Sequence, residues 1–250
     1  MVNKHTNKTK KKMSLLIGLV VKDGKQFIDK WIECVERLGY DFVVVDNGAD
    51  KEVKAKLLNH PQMAQYHIQS FKNRNQSRDY QKILEMAREE KVDWVWNLDI
   101  DEYVPELNPE ALDHLLLNCT KNSVGFPLVE MRGDDQHYVL IKQMDGEEKD
   151  ARLVHKIYKV LSHYEFDKND IHGCCIPHNC SRDVEYVPVF IQHFGHYTKE
   201  LRAEKRKRLG HEKDEYERLQ SWMIDDDSKV IIKHWDEIKD RWRRESEKKI

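Results

Sequence analysis

The run DWVWNLDIDEYV, from Asp93 to Val104, carries an apolar stretch with Trp94 and Trp96 straight into three acids, Asp99, Asp101 and Glu102. Desolvation and like-charge repulsion both oppose crowding carboxylates at the edge of a core unless a cation joins them. Two carboxylates at i and i+2, on a chain leaving a strand, can reach one hard divalent cation. Mg²⁺ and Mn²⁺ favour such oxygen ligands and keep positions open for phosphate oxygens. A diphosphate bridged by that ion leaves readily, because the metal neutralises the charge that develops on it. The triplet Asp225-Asp226-Asp227 has the same spacing in a charged region with no strand before it, and carries no catalytic weight.

The elements that must position these acids are legible from hydrophobic spacing. Ser14 to Val21 is an unbroken apolar run, as expected of a buried parallel strand. Phe27, Trp31 or Ile32, Val35 and Leu38 recur at helical spacing and are closed by Gly39. A second apolar strand ends at Asp46, followed by a helix over Lys51 to Leu58, a short strand in YHIQSF, and a helix from Gln76 to Glu90. The opening run then follows as another buried strand. Alternating strands and helices predict an α/β fold, a mostly parallel sheet with helices on both faces. Ligands in such sheets sit beyond the C-terminal strand ends, where Asp23, Asp46 and the stretch from Asp99 to Glu102 all fall.

Three segments in this order, VVKDGKQFIDKWIECVERLG, VVVDNGAD and NQSRDYQKILEMAREEKVDWVWNLDIDEYV, resemble the GT-A glycosyltransferases, close to their family-two group. The resemblance covers Ser14 to Val104 well and continues more loosely through LVHKIYKV, DIHG and HFGHYTKE to Glu200. It implies a Rossmann-like GT-A fold and transfer of a sugar from a nucleotide diphosphate (UDP-, GDP- or dTDP-linked) to a hydroxyl of a glycan, lipid or protein-linked glycan, dependent on Mn²⁺ or Mg²⁺. Carried over by position, Asp46 holds the base and ribose with Asn47 beside it, and Lys22 and Asp23 line the nucleotide pocket. Arg78 faces the diphosphate or supports the acidic loop. Asp99 contacts ribose or metal-bound water, Asp101 ligates the metal, and Glu102 buttresses the loop. Ala49 stands where the family pattern has serine, and Asp50 falls one place early.

The resemblance also implies an inverting reaction, which needs a general base near the acceptor hydroxyl. Asp134, Asp135, Glu165 and Asp170 are the candidates, with Asp135 and Asp170 foremost. DIHG, Asp170 to Gly173, stands where relatives place a histidine followed by an acid, but glycine occupies the acid's position. His172 would close the metal site or orient the acceptor, with His193 and His196 of HFGH as rivals. HGCCIPHNC, His172 to Cys180, holds two histidines and three cysteines, yet lacks the paired knuckles that orient a zinc site. Reduced, partly buried cysteines are the simpler reading.

The whole chain has 250 residues and a formal net charge of −2, which suits one α/β domain with an appendage and implies no nucleic-acid footprint. We expect a basic tail over 1–13, a catalytic domain over 14–200 (donor half 14–104, acceptor half 105–200 with a smaller mixed sheet) and a charged helical extension over 201–250. The lysines of the tail and the basic run from Glu200 to Gln220 offer a peripheral membrane contact, against a plain solvated surface. No apolar stretch reaches the roughly 20 residues of a membrane span. No secretory segment is seen, and five cysteines without a scaffold pattern favour a reducing, cytoplasmic setting. Two rivals stand beside the transferase: a haloacid-dehalogenase-like phosphatase using Asp99 as nucleophile and Asp101 as acid, and a non-catalytic module retaining the fold. Oligomeric state is not legible.

Overall fold

The structure is a computed structural model that describes residues 13–69, 75–142, 148–167, 175–180, 184–187, 189–209 and 230–240. Strand β1 (Leu15–Val21) is buried along nearly its whole length, because helices cover both of its faces. Helix α1 (Ile28–Leu38) turns Ile28, Trp31, Cys34, Val35 and Leu38 inward and ends at Gly39, as the spacing predicts. β2 (Phe42–Asp46) is wholly buried. Asp50 is the N-cap of α2 (Lys51–Leu58), accepting from the backbone N–H of Glu52 and Val53, which accounts for an acid at that place by helix capping. β3 (Met63–Ile68) starts three residues before the YHIQSF segment that its apolar pattern suggests. Its early residues are only half-buried, so burial left little pattern to read. α3 (Gln76–Glu89) is capped by the Asn75 side chain, and β4 (Trp94–Asn97) returns to the centre of the sheet.

These four strands are parallel in the order β3-β2-β1-β4. Alternate residues of β1 feed two cores. Leu15, Ile17, Leu19 and Val21 pack with α1 and α2 around Trp31 and Trp96. Leu16 packs with Val43, Val45 and Val95 against Tyr80, Ile83 and Leu84 of α3. The parallel register brings Val21 opposite Asp46 and Gly18 opposite Asn97. All three strands therefore open their C-terminal ends onto one edge.

The second half continues the same sheet. After the short β5 (Glu102–Tyr103) and α4 (Pro109–Asn118), β6 (Ser123–Arg132) is buried throughout. Then come β7 (Asp134–Val139), β8 (Ile141–Lys142), β9 (Glu148–Lys149), β10 (Arg152–Lys159), β11 (Val184–Tyr186), β12 (Ile191–His193), α5 (Lys199–Leu209) and β13 (Ile232–His234). β10 lies between β4 and β6, antiparallel to both, so the mixed strands join the parallel ones directly. The separate small sheet is the β8-β9 pair. The sheet is α/β and parallel in its first half, as expected, and mixed beyond β4.

The segment after residue 200 is more than a charged surface. β13 pairs with β7, and Trp235 and Ile238 join Phe190 and Phe194 in a third apolar cluster. Arg202 of α5 is 1% exposed. Among the described residues no helix is long and apolar enough to cross a membrane.

Trp31 is the largest side chain that α1 contributes to the core, edge-on to Phe42 at 5.2 Å between ring centroids. Trp31→Ala is expected to cost about 3–5 kcal/mol, read as a lowered urea midpoint with an unchanged slope.

Candidate functional site

The acidic loop is held from all sides. Leu98 N–H donates to Gly18 O at 3.1 Å, and Trp31 Nε1 donates to Leu98 O at 3.4 Å. Asp99 O accepts from Glu102 N–H at 3.0 Å while Glu102 Oε2 accepts from Asp99 N–H at 3.0 Å, closing a tight turn. Ile100 lies across Gly24, where a β-carbon would come within 2.6 Å of its Cδ1 and where φ is +120°. Only glycine meets both conditions, so the loop after β1 and the loop after β4 interlock. β12 pairs antiparallel with β5, placing His193 opposite Glu102, and Phe194 N–H donates to Asp101 O at 2.7 Å. This pairing brings HFGH onto the acids. Gly195 fits tightly, since a β-carbon there would lie 2.5 Å from Asp101 Oδ2.

Two internal cations answer the crowding. The first is Lys156, whose Nζ lies 2.7 Å from Glu102 Oε1 and 2.9 Å from Asp99 Oδ2. The register of β10 against β6 slips between His155 and Ile157, so Lys156 is the extra residue of a β-bulge. Bulges re-aim a side chain, and this one sends a lysine inward from an apolar strand. Burial alone would depress its pKa, but Asp99, the Cys175 thiol and Glu102 outweigh that and raise it well above the ordinary value. Burial pushes Glu102 up to about 7, against the pull of the Lys156 ammonium. Tyr80 donates to Asp99 Oδ1 at 3.3 Å, and Cys175 Sγ lies 3.5 Å from both Tyr80 Oη and Lys156 Nζ.

The second is His193. Its Nδ1 lies 2.6 Å from Glu130 Oε2 and its Nε2 lies 3.3 Å from Asp101 Oδ2. Desolvation opposes the charged ring, but the two carboxylates raise its pKa to about 10. Glu130, wholly buried on β6, also meets His196 Nδ1 at 3.0 Å and Arg152 at 3.2 Å. Burial would raise its pKa, yet the His193 and His196 charges hold it well below the ordinary range. Ligand atoms of Glu130, His193 and His196 lie within 4.8 Å of one another, a set that could hold a metal ion.

The remaining sequence candidates fall in distinct places. Asp46 is fully buried at the end of β2 and all its bonds are internal. Oδ1 accepts from Gly48 N–H at 2.8 Å and Ala49 N–H at 2.6 Å; Oδ2 meets Tyr66 Oη and Lys54 Nζ, each at 2.9 Å. Burial would raise its pKa, but these donors together lower it. Asn47 donates to Asp79, which also accepts from Gln69 Nε2 at 2.6 Å. Arg78 Nε stands 4.0 Å from Asp79 Oδ1. Lys22 and Asp23 are exposed at the end of β1. Asp135 pairs with Lys30 at 2.8 Å and accepts from Tyr197 Oη at 3.4 Å, while Asp134 bonds His137 beside it. Glu165 lies 4.0 Å from His178. Asp170 and His172 lie outside the described residues.

The described members of HGCCIPHNC face different partners. His178 Nδ1 lies 2.8 Å from Glu165 O, and Cys180 points to Asn122 O at 3.8 Å. Cys175 belongs to the acidic site. The spacing arguments single out neither Lys156 nor Glu130. Their available signal was a charged residue inside an apolar strand run, LVHKIYKV and VGFPLVEMRG, which burial makes costly unless partnered.

No protein-family model matches the chain, and no curated protein matches it in sequence. Among solved structures it is similar to residues 1–349 of Staphylococcus aureus TarS, at 12% identity over 76% of this chain and 63% of that one, with a TM-score of 0.46. The same fragment in complex with UDP-GlcNAc aligns at 15% identity over 49% of this chain and 36% of that one, with a TM-score of 0.37. HddC from Yersinia pseudotuberculosis aligns at 10% identity over 73% of this chain and 94% of that one, with a TM-score of 0.42. The chain spans 22%, 36% and 37% of the lengths of three TarS structures it matches. These likenesses are remote, and the chemistry rests on the site itself.

Two outcomes follow. Lys156→Met leaves Asp99 and Glu102 without their cation and is expected to cost about 3–5 kcal/mol in urea denaturation, part of which returns when Glu102→Gln is added. Asp46 has a folded pKa below its ordinary 3.8. Its contribution is therefore present above that value and lost as pH falls through the folded one. Asp46→Asn should lower stability at neutral pH and flatten the acid limb of the stability profile below about pH 4.

Proposed function

We propose that the chain is a metal-dependent GT-A-type glycosyltransferase, moving a sugar from a nucleotide diphosphate to an acceptor hydroxyl. The observation that carries this reading is the convergence of Asp101 Oδ2 and His193 Nε2 at 3.3 Å, at the edge where β1, β2 and β4 end. A carboxylate and an imidazole are a fitting donor pair for a divalent ion, and the imidazole favours Mn²⁺ over Mg²⁺. In this reading Asp101 and His193 hold the ion, with His196 beside them. Glu130 orients both rings through their Nδ1 atoms, as outer carboxylates do for histidine ligands. When bound, the ion would neutralise the diphosphate as the sugar–phosphate bond breaks.

The roles of the other residues follow from their partners. Asp99 already has the Lys156 ammonium, so we assign it to the ribose or to metal-bound water and give the direct ligation to Asp101. Lys156 and Glu102 keep the loop in one shape whether or not the ion is present. Asp46 acts through the turn it builds: its buried oxygens fix Asn47 to Ala49, and that turn walls the nucleotide pocket. Lys22 and Asp23 rim the pocket, and Arg78 approaches the diphosphate from α3. Of the three histidines that the sequence offers for the metal site, His172, His193 and His196, we assign the ligand role to His193. The general base is drawn from Asp170, with His172 beside it in sequence, and Asp135, whose pairing with Lys30 works against basicity. Inversion and a cytoplasmic setting rest on the sequence reading alone, which leaves the donor open among UDP-, GDP- and dTDP-linked sugars.

A thermal-shift panel of UDP-, GDP- and dTDP-sugars, with and without Mn²⁺, tests the reading, since a ligand that binds only the folded state stabilises it by mass action. One nucleotide sugar should raise Tm more with Mn²⁺ than without. Asp101→Ala should abolish the Mn²⁺-dependent part while leaving the unliganded Tm within a few degrees. A mutant that responds as the native protein does would remove the metal assignment.

A further inference from the structure

One edge of the described sheet carries a pair of histidines that the proposed reaction does not use. β13 forms that edge and pairs with β7 over three residues, with His234 directly opposite His137. Opposed residues of an antiparallel pair put their side chains on the same face, with Cβ atoms about 4.5–5.5 Å apart. The two rings stand 5.3 Å apart between centroids, at 90° to each other. Both side chains are 42% exposed, so solvent reaches them although each ring is held. His137 Nδ1 lies 2.8 Å from each carboxylate oxygen of Asp134, three residues back on β7. His234 Nδ1 lies 3.4 Å from Asp236 Oδ2.

Ligand histidines are held in this way. An imidazole that binds a metal through one nitrogen donates its other N–H to a carboxylate, which fixes the ring and strengthens the donor. Here each strand brings one ring together with an acid that holds it. The Asp236 backbone N–H also lies 3.3 Å from His234 Nδ1, so an ion at Nε2 selects the tautomer whose Nδ1–H faces the carboxylate. The spacing agrees. Two imidazoles bound to one Zn²⁺ at about 2.0–2.1 Å have ring centres about 4.5–5.2 Å apart, for angles from a right angle to tetrahedral. The observed 5.3 Å asks for ring rotation and little movement of either strand. Imidazole nitrogens favour Zn²⁺, Cu²⁺ or Ni²⁺, whereas Mg²⁺ and Ca²⁺ take oxygen. We propose that His137 and His234 form a transition-metal clasp that fastens the C-terminal segment to the sheet. β13 leads into Trp235 and Ile238, whose apolar cluster includes Phe194, the neighbour of His193. The clasp therefore steadies the segment packed behind the candidate active site. It stands independently of the transferase reading.

The test titrates Zn²⁺ into the full chain by calorimetry and follows hydrogen exchange of the 232–238 amides with and without the ion. The two histidines are far apart in sequence and meet only in the folded chain, so Zn²⁺ should bind that form, raise Tm and slow exchange over this stretch. His137→Gln and His234→Gln each remove one ligand nitrogen. Each should weaken one Zn²⁺-binding event at least tenfold and abolish the protection. Asp134→Ala, which releases the His137 ring, should weaken it about tenfold. His114→Gln, at an exposed histidine on α4, should change neither readout. Asp101→Ala should keep the protection, which separates this ion from the one proposed at the acidic loop. Exchange over 232–238 that Zn²⁺ leaves unchanged, or protection that survives in both histidine variants, overturns the clasp.

Discussion

One buried ammonium makes the acidic loop possible. Lys156 sits between Asp99 and Glu102, each within hydrogen-bonding distance, and without it two carboxylates would face each other at the edge of an apolar core. The arrangement constrains much else. β10 must lie next to β4 to deliver the lysine, and it must bulge at that residue to turn the side chain inward. The mixed half of the sheet therefore cannot be a detached layer.

A second pairing of the same kind lies one step away. His193 bridges Asp101 and Glu130, and its strand β12 pairs with both β5 and β6. Asp99 and Glu102 belong to the lysine, while Asp101 belongs to the histidine. The i, i+2 spacing thus separates two carboxylates onto two different cations. An ammonium is a permanent partner; an imidazole can give its lone pair to a metal instead. That difference is why Asp101 carries the metal in our reading and Asp99 does not. It also explains the glycine at 195, where any side chain would press on Asp101 Oδ2.

Buried charge continues beyond the acidic loop. β6 carries two buried charged residues, Glu130, which meets both imidazoles, and Arg132 two positions on. α5 reads as an ordinary charged helix in sequence, yet its Arg202 is buried and ties the helix to the His196 backbone. Charge density alone does not separate such a residue from the other basic residues of its helix.

How much was legible can be argued residue by residue. The parallel half was readable because β1, β2 and β4 are buried on both faces and show unbroken apolar runs, and α1 and α3 show a clear helical stripe. That reading placed Asp46, Asp99 and Asp101 at one sheet edge, and the structure does so. β3 was harder to bound, because its residues are half-buried. What no linear reading supplied was the identity of the cations. Lys156 is 54 residues from Glu102 and Glu130 is 63 from His193 in sequence, and each meets its partner only because strands from the two halves are neighbours. Local sequence determines period, caps and turns, which are set within a few residues. Pairing between distant charges is decided by strand order and by one bulge, and these exist only once the sheet has formed.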